Sequence, residues 1–223
     1  MCEIVNTVMV FFNDGQNNNH HRFKSWENCY FHFRAKHLNN DLAITEFDSL
    51  QLGFYLASWG MYRGSSFLLK NSYEIHTPVL QHIFNQQYEL LWEPDFDNIT
   101  DEWLNNLFTL KASIINIYRG ETTQAQRVSD TLITKIILGV LGITPAYDRF
   151  FRDGCRQNNI RPFINFSQNS YRRMIQFYID NSESFNRARD HIQETSHLVY
   201  PTMKLVDMYF WTVGSNFNFD EVE

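Results

Sequence analysis

The stretch DTLITKIILGVLGITPAYDRFF, residues 130–151, decides how the chain is read. Leu132, Ile133, Ile136, Ile137, Val140 and Leu141 recur at i, i+1, i+4, i+5, i+8 and i+9 and make one apolar stripe along a helix. Gly142 stops that helix. Thr144-Pro145 then has the form of an N-cap followed by proline at the first helical position. On that reading Asp148 closes the first turn of a new helix, where the helix dipole favours an acid. Arg149 follows at once.

The helical rhythm continues on both sides. It appears in FKSWENCYFHFRAK (23–36), EFDSLQLGFYLASWGMY (46–62), PVLQHIFNQQYELLW (78–92) and DEWLNNLFTLKASIINIY (101–118). It returns in SYRRMIQFYIDN (170–181), SESFNRARDHIQETSHL (182–198) and YPTMKLVDMYFW (200–211). Prolines punctuate it: Thr77-Pro78 reads as a second cap-and-proline start, Pro162 and Pro201 sit near segment starts, and Pro94 precedes the cap candidate Thr100. Only nine glycines and no run of alternating β-branched residues argue against a large sheet. The expectation is an all-α globule of eight to ten helices. At 223 residues it forms one domain or two lobes with a cleft between them.

Composition narrows the function classes. With a formal charge of −6, any nucleic-acid site is a local patch on an acidic body. Charge is segregated: residues 89–102 carry six acids and no Lys or Arg, and residues 149–173 carry six arginines against one acid, Asp153. Cys2, Cys29 and Cys155 form neither a CxxC pair nor a disulfide framework, as expected of a reducing cytoplasm. The opening MCEIVNTVMVFFNDG lacks a basic n-region and a small-residue cleavage site and is read as structure. No apolar run approaches the ~18 residues of a transmembrane helix, so no membrane partner is expected. His20-His21 in an asparagine run reads as a polar loop, since tandem histidines do not easily share one metal. No metal and no cofactor are expected.

A second constellation is ASWGMYRGSSFLL, residues 57–69. Gly60 and Gly64 bracket Met-Tyr-Arg between two apolar segments, which marks a tight turn. Trp59 and Tyr62 offer rings on which a base can stack, Arg63 offers a cation for a phosphate or carbonyl, and Ser65 a hydroxyl. These four are the candidate pocket residues. Arg149, Arg152, Arg172, Arg173 and Lys135 are the candidate phosphate contacts.

The segment KIILGVLGITPAYDRFFRDG (135–154) resembles the catalytic segment of helix-hairpin-helix DNA glycosylases. In that family an apolar helix ends near a glycine, a short proline-containing turn follows, and an aspartate opens the next helix. Gly142, Pro145 and Asp148 match those features, and Phe150 and Phe151 continue inward. The resemblance implies an Asp148 carboxylate that stabilises the positive charge built on deoxyribose as the N-glycosidic bond breaks, and that positions water. The base must first leave the duplex. The resemblance covers about twenty residues. The family's Gly-hydrophobic-Gly hairpin is absent from GETTQAQRVSDTL (120–132), so the hairpin is degenerate. Thr131 falls near the position where bifunctional members carry a lysine, which implies a monofunctional enzyme leaving an abasic site. Lys135, one turn later, reads as a surface lysine. The chain as a whole also resembles bacterial proteins of phage-defence settings, whose glycosylases excise hypermodified bases such as glucosylated hydroxymethylcytosine. DNA is the partner this implies.

The segregated charge supports another reading: a non-catalytic helical binding module of a bacterial defence or regulatory system, with segments 89–102 and 149–173 as docking faces.

Overall fold

The computed structural model describes residues 3–17, 20–121, 128–160 and 165–215. Among them are ten α-helices, three short 3₁₀ helices and no strand. The protein is all-α, as expected. The chain divides into two compact units: residues 22–141, and residues 1–21 with 142–223. Cys2, Arg161 and Pro162 lie outside the described residues, as do residues 122–127 of the degenerate hairpin.

The unit of residues 22–141 contains α2 (Lys24–Leu38), α3 (Glu46–Ser58), α4 (Thr77–Ile83), α5 (Asp101–Glu121) and α6 (Asp130–Val140). Helices α2, α3 and α5 all pack on α6. The expected stripe on α6 understates its burial, because Thr134 and Lys135 are buried along with every residue from Leu132 to Val140. A helix buried all round is a core helix rather than a surface one. Gly139 permits this: a Cβ there would lie 2.5 Å from the Tyr55 ring and 3.3 Å from Cys29 Sγ. Trp26 and Tyr30 of α2 stack at 5.2 Å in the core, and the Trp26 indole donates to the Leu138 carbonyl at 3.1 Å.

Two expected helices are shorter than their patterns. The 46–62 segment stops at Ser58, because Trp59 leaves helical geometry and Gly60 takes φ +74°. The 78–92 segment breaks at Phe84–Asn85, where the Asn85 side chain accepts from the Gln87 amide at 3.0 Å and opens the 3₁₀ helix Gln86–Leu91. Thr77 does not cap α4; it is its first residue, and its hydroxyl bonds to buried Ser49 at 2.8 Å. Thr100 does cap α5, accepting from the Trp103 amide at 3.1 Å.

The other unit contains α1 (Glu3–Gln16), α7 (Arg149–Gln157), α8 (Gln168–Asp180), α9 (Ser182–Ser196) and α10 (Thr202–Ser215). Helix α10 is its centre, buried from Met203 through Thr212 and packed on α1, α7 and α9. Its contact with α7 is backbone on backbone. A Cβ on Gly154 would lie 2.0 Å from the Phe210 carbonyl oxygen, and one on Gly214 would lie 1.9 Å from that of Phe150. Two glycines therefore set how closely these helices approach.

Candidate functional site

The Thr144-Pro145 start is corrected by the structure. Residues 142–148 are not helical, and α7 begins at Arg149 with Asp148 as its N-cap. Asp148 is extended (φ −87°, ψ −174°) and its Oδ1 accepts from the Phe151 amide at 3.1 Å. The half-buried carboxylate thus satisfies one of the free amides at the helix start. Gly142 ends the preceding apolar helix in the left-handed region, φ +72°, where glycine has no Cβ penalty.

The connecting loop is held from inside its own unit. The Ala146 amide donates to Asp207 Oδ1 at 2.8 Å, and the Asp148 amide donates to the Ala146 carbonyl at 2.8 Å. The buried Tyr171 hydroxyl donates to the Ile143 carbonyl. Asp207 (4% exposed) is paired with Lys204 (2% exposed), whose Nζ lies 3.0 Å from Asp207 Oδ2 and over the Phe11 ring at 4.8 Å. Burial pushes the Asp207 carboxyl above the usual carboxylate range. Lys204 works against that rise and the charge of Asp148 adds to it, so the two carboxylates are within electrostatic reach. Sequence reasoning passed over Lys204 and Asp207. Their signal was available: opposite charges three residues apart inside an otherwise apolar helix.

The candidate arginines of this unit differ in setting. Arg149 is exposed, with its guanidinium over the Phe150 ring at 4.6 Å. Arg152 is half-buried one turn later. Arg172 and Arg173 are exposed on α8. Phe151 is buried, and half-buried Phe150 meets Trp211 edge-on at 5.2 Å.

The turn after α3 builds a pocket within the other unit. Gly60 and Gly64 both have positive φ, and Ser66 caps the 3₁₀ helix Phe67–Lys70. The pocket encloses about 490 Å³, with Arg63, Ser65, Ser66 and Ser129 as its polar wall. Met61, Phe67 and Leu132 are its apolar wall. Ser129 is also the N-cap of α6. An apolar wall with a few polar groups is the general make-up of a small-molecule pocket.

Arg63 and Ser65 thus line a pocket. Trp59 and Tyr62 have other engagements. Trp59 stacks on Phe23 (5.4 Å, 11°), with Arg22 and Lys135 over its ring at 5.3 and 5.0 Å. Lys135 is 3% exposed and reaches the Trp59 carbonyl at 3.4 Å. It is a core ammonium, not the surface lysine expected as a phosphate contact, because α6 is buried on every side. The Tyr62 hydroxyl bonds to His76 Nε2 at 2.7 Å, and His76 Nδ1 bonds to the Tyr118 hydroxyl at 2.7 Å. Burial lowers the His76 pKa to about 3 and raises that of Tyr62 to about 12. The neutral imidazole accepts from one tyrosine and donates to the other. Nothing in the local sequence YEIHTP announces this histidine.

In the same unit Asp48 joins Thr45 in a capping box on α3 and bonds to His32 (2.5 Å) and Lys36 (3.3 Å). Burial alone would raise its pKa, but the Thr45 amide, His32, the Thr45 hydroxyl and Lys36 together lower it. The acids Glu89 and Glu93 are held by His37 (2.9 Å) and Arg34 (3.0 Å).

Among the described residues no three His, Cys, Asp or Glu side chains converge as a metal-binding group, and no helix is long and apolar enough to cross a membrane. Compared with known proteins, the chain matches no family model, no curated protein and no solved structure.

Proposed function

We propose that this protein is a monofunctional DNA glycosylase that excises a modified base, with glucosylated hydroxymethylcytosine of phage DNA as the first candidate, and leaves an abasic site. The observation that carries the reading is Asp148: a half-buried carboxylate that opens α7 after a glycine-stopped apolar helix, on a loop held by Asp207 and Tyr171. The segment it resembles also has an aspartate opening its helix. That arrangement supports the reading better than a first-turn acid does.

The chemistry follows from a fixed negative charge. As the N-glycosidic bond breaks, its electron pair leaves with the base and C1′ of the deoxyribose becomes cationic. A rigid carboxylate stabilises that cation more than it stabilises the neutral sugar, which lowers the barrier. Water adds its oxygen to C1′, and its proton passes, by way of the carboxylate or solvent, to the nitrogen of the departing base. The products are a free base and an abasic deoxyribose. Arg149, Arg152, Arg172 and Arg173 serve as phosphate contacts.

The test is an abasic-site assay on phage DNAs of different cytosine modification and on ordinary DNA. Wild type is expected to generate abasic sites on at least one modified DNA, in the presence of EDTA, and Asp148→Asn on none. Equal behaviour of the two proteins on every substrate would remove Asp148 from the chemistry.

One observation favours the binding-module reading. Phe47, Leu50 and Phe54 lie at i, i+3 and i+7 of α3, and all three are exposed. Leu38 and Leu42, just before α3 in the chain, are exposed as well. Large exposed apolar faces mark interaction surfaces. The same assay decides: no abasic sites from any substrate leaves the binding module as the standing reading.

A further inference from the structure

We propose that the buried Lys204–Asp207 pair of α10 is the positioning element for Asp148. Asp207 grips the Ala146 amide, and the Ala146 carbonyl in turn grips the Asp148 amide. This inference rests on the glycosylase reading, since it gives the loop anchor a catalytic purpose.

Three observations carry it. First, a buried ion pair is a poor stabilising device, because desolvating two charges offsets most of their attraction. An apolar pair would fill α10 as well. Asp207 does something an apolar residue cannot: its Oδ1 is the acceptor for a loop amide 61 residues away in the chain. Second, the loop that Asp207 holds ends on the Asp148 carboxylate, and its other end is tied by the Tyr171 hydroxyl at Ile143. The segment 143–148 is therefore held at two places by side chains of α8 and α10. Third, the helix that Asp148 caps is seated on the same α10 by the Gly154 and Gly214 backbone contacts. Loop and helix start are thus referred to one rigid element, as a catalytic carboxylate requires. Lys204 contributes by keeping Asp207 ionised and oriented through Oδ2, which leaves Oδ1 for Ala146.

The experiment uses the full chain and the duplex DNA that wild type excises. It measures single-turnover excision, DNA affinity and hydrogen exchange of the Ala146 amide. The double variant Asp207→Leu/Lys204→Met removes the grip and leaves no unpaired charge. It is expected to bind DNA as wild type does, to excise about a hundredfold more slowly, and to exchange the Ala146 amide faster. Asp207→Asn/Lys204→Met keeps an oxygen for Ala146 and is expected to restore the rate to within a few-fold of wild type. Tyr171→Phe, which loses only a hydroxyl, is expected to slow excision about fivefold at unchanged affinity, and it decides alone if the Leu variant does not fold. A wild-type rate in the Leu variant or in Tyr171→Phe overturns the proposal. So does an Asn variant as slow as the Leu variant. Failure of the glycosylase reading has a different signature: wild type and Asp148→Asn are then alike on every DNA, and the positioning role falls with it.

Discussion

Each unit buries a polar centre, and the two are built on opposite principles. In α10 the centre is charged: Lys204 and Asp207 face each other at 3.0 Å, and the carboxylate holds a backbone amide. Under the turn after α3 it is neutral: His76, fully buried, sits between two tyrosine hydroxyls at 2.7 Å each. Burial disfavours charge in both places. The first keeps its charges by pairing them, whereas the second gives up its charge altogether. The charged centre fixes a loop; the neutral one fixes a side chain, Tyr62, beside the pocket turn.

The two centres also respond to pH with opposite sign. Asp207 holds its proton more tightly in the folded chain than in the unfolded one. Its contribution to stability is complete below the ordinary carboxylate value of 3.8 and declines as pH rises through the raised folded value. His76 holds its proton less tightly when folded. Its contribution is complete above 6.5 and is lost as pH falls towards about 3.

The largest effect is expected from breaking the charged centre on one side only. Lys204→Met leaves Asp207 buried without its cation and should cost about 3–5 kcal/mol at pH 7. The deficit should narrow as pH is lowered, because protonation relieves the stranded carboxylate. Urea unfolding at pH 7 and pH 5 measures both quantities. A deficit that is small or that grows with acidity would mean that Asp207 does not depend on Lys204.

The seat of α7 comes next. Gly154→Ala and Gly214→Ala each put a methyl group within 2.0 Å of a backbone carbonyl oxygen, and neither backbone can turn away as a side chain can. Each should cost about 3 kcal/mol, although alanine is the better helix former. Gly120→Ala in α5 meets nothing within 4 Å and should be neutral or slightly stabilising. Thermal melts of the three variants test the contact without reference to function.

The neutral centre is probed by slope rather than by level. Between pH 6.5 and 5 the His76 term alone should remove about 2 kcal/mol of stability. His76→Gln retains a donor and an acceptor but does not titrate, so its stability should fall by that much less over the same interval. Equal slopes in the two proteins would place a proton on His76 in the folded state.

The comparison also shows which parts of the molecule the sequence discloses. Helical periodicity and the all-α class are local properties, and α2, α5, α8, α9 and α10 lie close to where the spacing of apolar residues puts them. At the joint 142–148, Thr-Pro has the local chemistry of a cap, yet no helix starts there. Residues 142–148 are instead non-helical and tied by hydrogen bonds to Asp207 and Tyr171, and the cap passes to Asp148. Lys135 looked like a surface residue because one polar side chain per turn usually faces solvent. Here its ammonium lies over the Trp59 ring, on a helix buried from Leu132 to Val140. His76 carries no signal at all: its partners Tyr62 and Tyr118 are 14 and 42 residues away, and only folding brings them together.

The smallest stability effect carries the most information about function. Asp148 caps α7 through a side-chain oxygen, and asparagine caps a helix about as well as aspartate does. Asp148→Asn should therefore melt within about 0.5 kcal/mol of wild type, whereas Asp148→Ala, which has no acceptor for the Phe151 amide, should lose about 1 kcal/mol. Excision should not follow that order. If the carboxylate stabilises a cationic sugar, both variants lose its charge, and both should fall at least about a hundredfold in single-turnover rate. If Asp148 matters only as a cap, asparagine restores the helix start and the rate together, and alanine alone is impaired. Two side chains that differ little in capping but wholly in charge separate the structural role of Asp148 from the chemical one.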